Sequence, residues 1–410
     1  MKTHKNIFLW AFYDFANSIV SIVFFLYFAQ WVVIDQGISD FRFNLTFTIS
    51  ALLLLFTAPL AGFLLDKFWK RITGLRISTV LTVFFYTLCS FFAINSQTDL
   101  ALIFFTLGLF SYLLSFTFYT PLLPDIAPPG RLGFISGLGI SANYLGQFAG
   151  LLLALPFSKG ILALFGASAR AETLLPATLA FFLLALPMLL LFKEPERERI
   201  PYSIMAAFRD FLRETRWLLS ASGVFLFFAS YFLFNDAILT ASNNFPIFLQ
   251  QVWHISDTVK TYLLLCILIT SALGGTLSGL VADRFGHKRT LLWILSGWVV
   301  LLPIVGLLTD FRVFVIATVL MGFWFGATWA VSRSVMSRVA PLGQHNLAFS
   351  YFGLAERASS FVGPLVWGFT VSQLVSIGSE RYRIAMLVIS AFVVFGVWLL
   401  YHVQVAEERH

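Results

Sequence analysis

The sequence predicts an all-α integral membrane protein: twelve transmembrane helices in two pseudo-symmetric six-helix bundles, both termini cytoplasmic. Three observations lead there. Hydrophobic residues make up 59% of the 410 positions and charged residues only 11%, where a soluble domain carries about a quarter charged. The apolar residues gather in runs of about 20, the length at which a helix crosses the hydrocarbon. Loop motifs also recur between the two halves at a nearly constant offset.

Composition narrows the class further. With 48 Phe and 11 Trp, the apolar surface exceeds what one or two soluble cores could bury. The net charge of +7 is spread over short interruptions between apolar runs. That distribution suits anionic lipid at a cytoplasmic face, and no nucleic-acid partner is expected. Cys89 and Cys266 sit in separate apolar runs, so neither a disulfide framework nor a thiolate metal site follows. No cofactor is implied. The opening "MKTHKNIFLWAF" has lysines before an apolar stretch, as a signal peptide does. The run continues to about Ile34 and contains Asp14 and Asn17, so it reads as the first span.

The spans fall at 7–33, 45–65, 75–94, 100–123, 132–156, 173–192, 218–249, 259–281, 291–308, 312–337, 347–374 and 384–403. These segments lack strict alternation and are too long for tilted strands, which excludes a barrel. With the N-terminus cytoplasmic, eighteen Lys and Arg lie on that side and seven on the other, with Arg333 and Arg357 inside spans. This excess orients the chain. The organisation is therefore an N-terminal bundle (1–192), a linker (193–217) and a C-terminal bundle (218–410). In the linker, Ile204, Ala207, Phe208, Phe211 and Leu212 share one helical face opposite Arg209, Asp210, Arg213 and Glu214. That pattern predicts an amphipathic helix lying on the membrane surface.

The repeat is specific. "GFLLDKFWKR" from Gly62 and "GLVADRFGHKR" from Gly279 each place Asp four residues after Gly, before a basic cluster. Asp66 and Asp283 are 217 apart. "DIAPPG" from Asp125 and "RVAPLG" from Arg338 are 213 apart, and the same offset carries Gly150 onto Gly363. Halves of this kind are related by an axis along the membrane normal, with a solute site near mid-membrane. Asp14 and Asp236 differ by 222, so they are not read as strict counterparts.

The two Gly-x-x-x-Asp-basic loops resemble the signature of the major facilitator superfamily. "YDFANS" at Tyr13–Ser18, "FNDAILTASNNF" from Phe234 and "SRSVMSRVAP" from Ser332 resemble its vacuolar-effluxer-like branch. The resemblance implies the major facilitator fold and alternating-access transport. Fungal members of the branch are associated with exporting amino acids from the vacuole. Trp69 stands where the signature prefers Gly, and Ala237 follows Asp236 where the branch usually has Gly.

Polar residues inside the spans are the candidate site. A carboxylate at mid-membrane costs about 2.5–3.5 kcal/mol on insertion scales and needs a partner, a proton or a wet cavity. Asp14, Asn17, Ser18 and Ser21 form one stripe at helical spacing. Asp14 either binds a cation, proton or substrate amine, or pairs locally near the boundary. Asp236, with Thr240 and Asn243 on the same face, lies deeper. Span ten adds Trp329 and Arg333, whose guanidinium either holds a substrate carboxylate or snorkels to the boundary. Glu356 and Arg357 neutralise one another or find separate partners. Gly133/Gly137, Gly146/Gly150 and Gly275/Gly279 have the spacing that lets helices pack closely. In the loops, Asp66, Arg131, Asp283, Arg284 and Arg338 are expected to form a cytoplasmic gate.

These residues suit a secondary transporter of a small polar solute, an amino acid among the options, with a proton as a candidate coupling ion. A transport-inactive receptor or scaffold on the same fold, or a carrier of sugars or drug-like solutes, is the alternative. Enzyme motifs are missing: there is no His-Glu-x-x-His, Gly-x-Ser-x-Gly or phosphate-binding Gly-rich loop. A bacterial inner membrane is the expected location and a monomer the default, the oligomeric state being open.

Overall fold

The computed structural model describes residues 2–68, 70–128, 132–194, 222–340 and 345–404, with isolated positions between 209 and 220. Among these residues the regular structure is helical. The main helices are α1 (Lys2–Val23), α2 (Asp40–Phe68), α3 (Arg71–Ile94), α4 (Thr98–Tyr119), α5 (Leu132–Ser158) and α6 (Leu174–Leu191). They are followed by α7 (Ser222–Trp253), α8 (Asp257–Phe285), α9 (His287–Leu307), α10 (Phe311–Val339), α11 (His345–Ala358), α12 (Val362–Gln373) and α13 (Glu380–His402). Among the described residues, eleven helical segments are long and apolar enough to cross a membrane. The run expected as one continuous span at 347–374 is instead the pair α11 and α12, broken at Ser359–Phe361. The break has a chemical cause. Pro364 lacks the N–H that would bond the Ser360 carbonyl in a continuous helix, and its ring crowds that position. Of the linker expected to hold an amphipathic helix, 195–208 lies outside the described residues.

The chain divides into two compact units, Met1–Ile200 with Ile255–Thr261, and Pro201–His254 with Tyr262–His410. In the first unit α1 packs on α5 and α6, and α3 on α4. Among apolar lipid tails there is little hydrophobic gain in bringing helices together, so close packing must hold them. Glycines supply it: an ideal Cβ on Gly150 would sit 2.8 Å from the Ile19 carbonyl oxygen, and one on Gly146 would press into Phe15. The spacing of this pair is thus used for backbone approach. α1 continues past Val23 through Phe24–Phe28 and Trp31–Asp35 with wider turns, in which Ala29 N–H reaches the Phe24 carbonyl and Gln36 N–H the Trp31 carbonyl. These five-residue turns accompany an aromatic cluster. Phe24 stacks on Tyr86 at 4.1 Å and Phe28 packs on Phe105 at 4.5 Å.

In the second unit α7 packs on α13, and α9 on α10 and α13. Gly274, Gly322 and Gly326 bring the α8 and α10 backbones together, and Thr270 Oγ1 donates to Val319 O at 2.7 Å. Trp298 Nε1 donates to Thr328 Oγ1 at 2.8 Å, joining α9 to α10. The expected close approach at Gly279 is not seen: nothing lies within 4 Å of where its Cβ would stand. Gly275 makes only ordinary contact with Gly326.

Candidate functional site

The first polar cluster is built on α1 and α5. Asp14 is half-buried, while Asn17 and Ser18 are fully buried. Ser18 Oγ donates to Asp14 O at 2.7 Å, and Ser21 Oγ to Ser18 O at 3.2 Å, so the stripe is tied along its own helix. Asn17 Nδ2 turns back to Asp14 Oδ1 at 3.5 Å. The link to a neighbouring helix comes from Asn143, whose Nδ2 donates to Asp14 Oδ1 at 3.3 Å. Gln147 Nε2 in turn donates to Asn143 Oδ1 at 2.7 Å. The result is a part-exposed carboxylate held by amides, with both helices brought near enough by the glycines described above.

Asp236 is placed differently. It is fully buried on α7, and its Oδ2 accepts from Gly363 N at 2.6 Å and Val362 N at 3.2 Å. These are first-turn N–H groups of α12, which have no intrahelical acceptor. An anion there is favoured by the helix dipole. Gly363 is required by this approach: a Cβ on it would lie 2.8 Å from Asp236 Oδ1 and press on Thr240 Oγ1. Thr240 is buried and Asn243 nearly so.

A third cluster joins α7, α10 and α11. Arg333 Nη2 donates to Glu356 Oε1 at 3.1 Å, the two side chains being 36% and 17% exposed. Trp329 Nε1 donates to Asn235 Oδ1 at 2.9 Å. Asn235 Nδ2 donates to Ser359 Oγ at 2.5 Å and Glu356 O at 3.1 Å, which fastens the break in the eleventh span.

At the far end of α1 lies a network of ion pairs in the first unit. Arg170 holds Asp257 through Nε and Nη2 at 2.8 and 3.1 Å, and Asp35 through Nη1 at 2.5 Å. Burial works against the Arg170 charge, but the hydrogen bonds and charges of Asp257 and Asp35 outweigh it and hold the guanidinium above its usual range. Lys260 is fully buried, donating to Asp257 Oδ1 at 2.8 Å and to Gln30 Oε1.

Of the expected gate residues, Arg131 and the Asp66 side chain lie outside the described residues. Asp283 is largely exposed, with His287 Nε2 at 3.8 Å from its carboxylate. Arg338 Nη2 lies 3.4 Å from the same His287 Nε2, and Ser334 Oγ is 2.9 Å from His287 Nδ1. Asp283 and Arg338 therefore meet at His287. Arg284 stacks over Phe285 at 5.4 Å instead. Among the described residues, no three His, Cys, Asp or Glu gather as metal ligands would.

The sequence profile described as Major Facilitator Superfamily matches residues 8–245, and that described as Vacuole effluxer Atg22 like matches residues 131–410. The chain belongs to the major facilitator superfamily, in its Atg22-like family. It is accordingly a multi-pass membrane transporter. The MFS-type transporter YxiO of Bacillus subtilis is 23% identical, over 94% of this chain and 93% of its own. Autophagy-related protein 22 of Saccharomyces cerevisiae is 26% identical over 40% of this chain and 33% of its own. Among solved structures, a D-xylose-proton symporter aligns with a TM-score of 0.74 at 14% identity, covering 98% of this chain and 97% of its own. The nucleoside transporter NupG aligns at 0.72 and 11% identity, covering 98% of both. At such identities these two show the shared fold.

In this Atg22-like chain the residues that sequence reasoning missed are Asn143, Gln147, Asn235, His287 and the Asp35–Arg170–Asp257–Lys260 network. Asn143 and Gln147 had a legible signal, since two amides four apart in an apolar run share a helix face. Asn235 stood beside the singled-out Asp236 but on another face.

Proposed function

We propose that this transporter carries a small zwitterionic solute, an amino acid, by alternating access across the bacterial inner membrane, coupled to protons, with its termini in the cytoplasm. The observation that carries the reading is the contrast between the two intramembrane acids. Asp236 is buried with one oxygen, Oδ2, taken by backbone N–H groups, whereas Asp14 keeps a part-exposed carboxylate framed by Asn17, Asn143 and Gln147. A carboxylate with amides around it suits a solute ammonium. Arg333, with 36% of its side chain exposed, carries the planar fork that suits a carboxylate. The description of the family as vacuole effluxers supports movement of solute toward the cytoplasmic side. Trp329 and Ser21 help shape these two stations, and Asp66, Arg131, Asp283, Arg284 and Arg338 serve the cytoplasmic gate, His287 joining them.

The experiment is a thermal-shift screen of purified protein with amino acids, sugars and nucleosides, followed by counterflow in proteoliposomes. A solute bound only by the folded state raises the melting temperature. Stabilisation and counterflow by amino acids support the proposal. Stabilisation by sugars or nucleosides alone overturns it.

A further inference from the structure

The buried acid of α7 has a feature that clamping a helix does not require. Asp236 Oδ2 takes both backbone bonds from α12, while Asp236 Oδ1 and Thr240 Oγ1 are buried with no hydrogen-bond partner. Both atoms border the same point at Gly363, so two unsatisfied oxygens stand together at a helix start. Leaving such groups unpaired in a dry interior is costly. One added proton removes the deficit: the carboxyl O–H on Oδ1 donates to Thr240 Oγ1. When the proton leaves to water, the threonine hydroxyl rotates to donate to Oδ1, and the α12 N–H groups receive the full negative charge. Either state can pair Oδ1 with Oγ1, because a hydroxyl both donates and accepts.

We propose that Asp236 and Thr240 form the proton-binding site of this transporter, and that its charge state sets how firmly the start of α12 is held. The inference rests on the reading of the chain as a proton-coupled carrier and names the group that carries the proton. The surroundings allow it. α12 has no charged side chain, and α13 has them only at its ends, Glu380 to Arg383 and His402. Tyr231 lies on α7 itself. α10 and α11 bring Arg333, Glu356 and Arg357, and Arg333 and Glu356 are paired with each other. Asn235 bonds the Glu356 backbone and the Trp329 ring on the neighbouring face. The break in the eleventh span is what gives the charge a mechanical readout, since an ionised carboxylate grips N–H groups more strongly than a neutral one.

Two measurements test this. The first is infrared difference spectroscopy of the purified full chain between acid and alkaline pH, without solute. A protonated-carboxyl band should be present at acid pH, vanish in Asp236→Asn and change frequency in Thr240→Val. A folded Asp236→Asn protein that keeps the band overturns the proposal. If Asp236→Asn does not fold, Thr240→Val decides: an unchanged band frequency overturns it. The second is the ratio of protons to solute moved in proteoliposomes, expected to fall at least tenfold in Asp236→Asn. An unchanged ratio overturns the proposal while leaving the transport reading standing. Wild-type protein that moves no tested solute overturns the transport reading, and the infrared result still tests the proton site.

Discussion

Replacing Gly146 by Ala tests whether backbone contact between α1 and α5 sets the Asp14 cluster. The added Cβ would lie 2.9 Å from both Phe15 C and Ser18 Cβ. Ordinary contact begins near 3.4 Å, so the helices must part by about 0.5 Å or more. A backbone carbon cannot swing aside as a side chain can, and overpacking of this kind costs about 1–3 kcal/mol. The same movement stretches the Asn143–Asp14 bond from 3.3 Å to roughly 3.8 Å, beyond hydrogen-bond reach. The control is Gly279→Ala, where nothing lies within 4 Å and helix propensity alone favours alanine by about 1 kcal/mol. Melting of both variants in detergent, beside solute binding, is the assay. Gly146→Ala should lower stability and weaken binding, while Gly279→Ala should do neither. Equal melting temperatures for the two variants would refute the argument that helix contact positions the carboxylate.

Other outcomes follow from the same coordinates. Arg170→Ala should lose about 3 kcal/mol, since it takes the guanidinium from the partly buried Asp35 and leaves Asp257 with Lys260 in place of two cations. Arg42→Ala, which breaks an exposed pair with Asp99, should lose under about 1 kcal/mol; paired denaturation curves check both. Trp298→Phe should cost about 1 kcal/mol by removing the indole donor to Thr328 Oγ1, which keeps its own bond to Trp324 O, read by the same melts. Glu356→Gln should remove one negative charge beside Arg333 and tighten binding of an anionic solute severalfold, measured by competition.

Much of the fold was legible because lipid imposes a simple rule: each span needs an apolar run of fixed length, and the repeat shows up as loop motifs. The family followed from those motifs. The break at Ser359–Phe361 was less visible, although Pro364 after two serines marks it in hindsight, because a proline within an apolar run also fits a kinked continuous helix. The candidate site was read by polarity within spans, which singled out Asp14, Asn17, Asp236 and Arg333. It could not tell a carboxylate that faces a helix start from one held by side-chain amides, since both look like an acid in an apolar run. Partners on other helices, such as Asn143 for Asp14 and Glu356 for Arg333, depend on which helices touch. Spacing along one helix carries no such information. The Asp35–Arg170–Asp257–Lys260 network was hidden for the same reason, its members being distributed over three connections.

The central claim is that Asp14 recognises the ammonium of the solute. Competition binding by an amino acid and its deaminated acid tests this most directly. A hydrogen bond to a charged group contributes about 1.5–3 kcal/mol, so the deaminated acid should bind at least tenfold more weakly than the amino acid. Asp14→Asn should erase that preference. A deaminated acid that competes as well as the amino acid, or an Asp14→Asn variant that keeps the preference intact, would contradict the account.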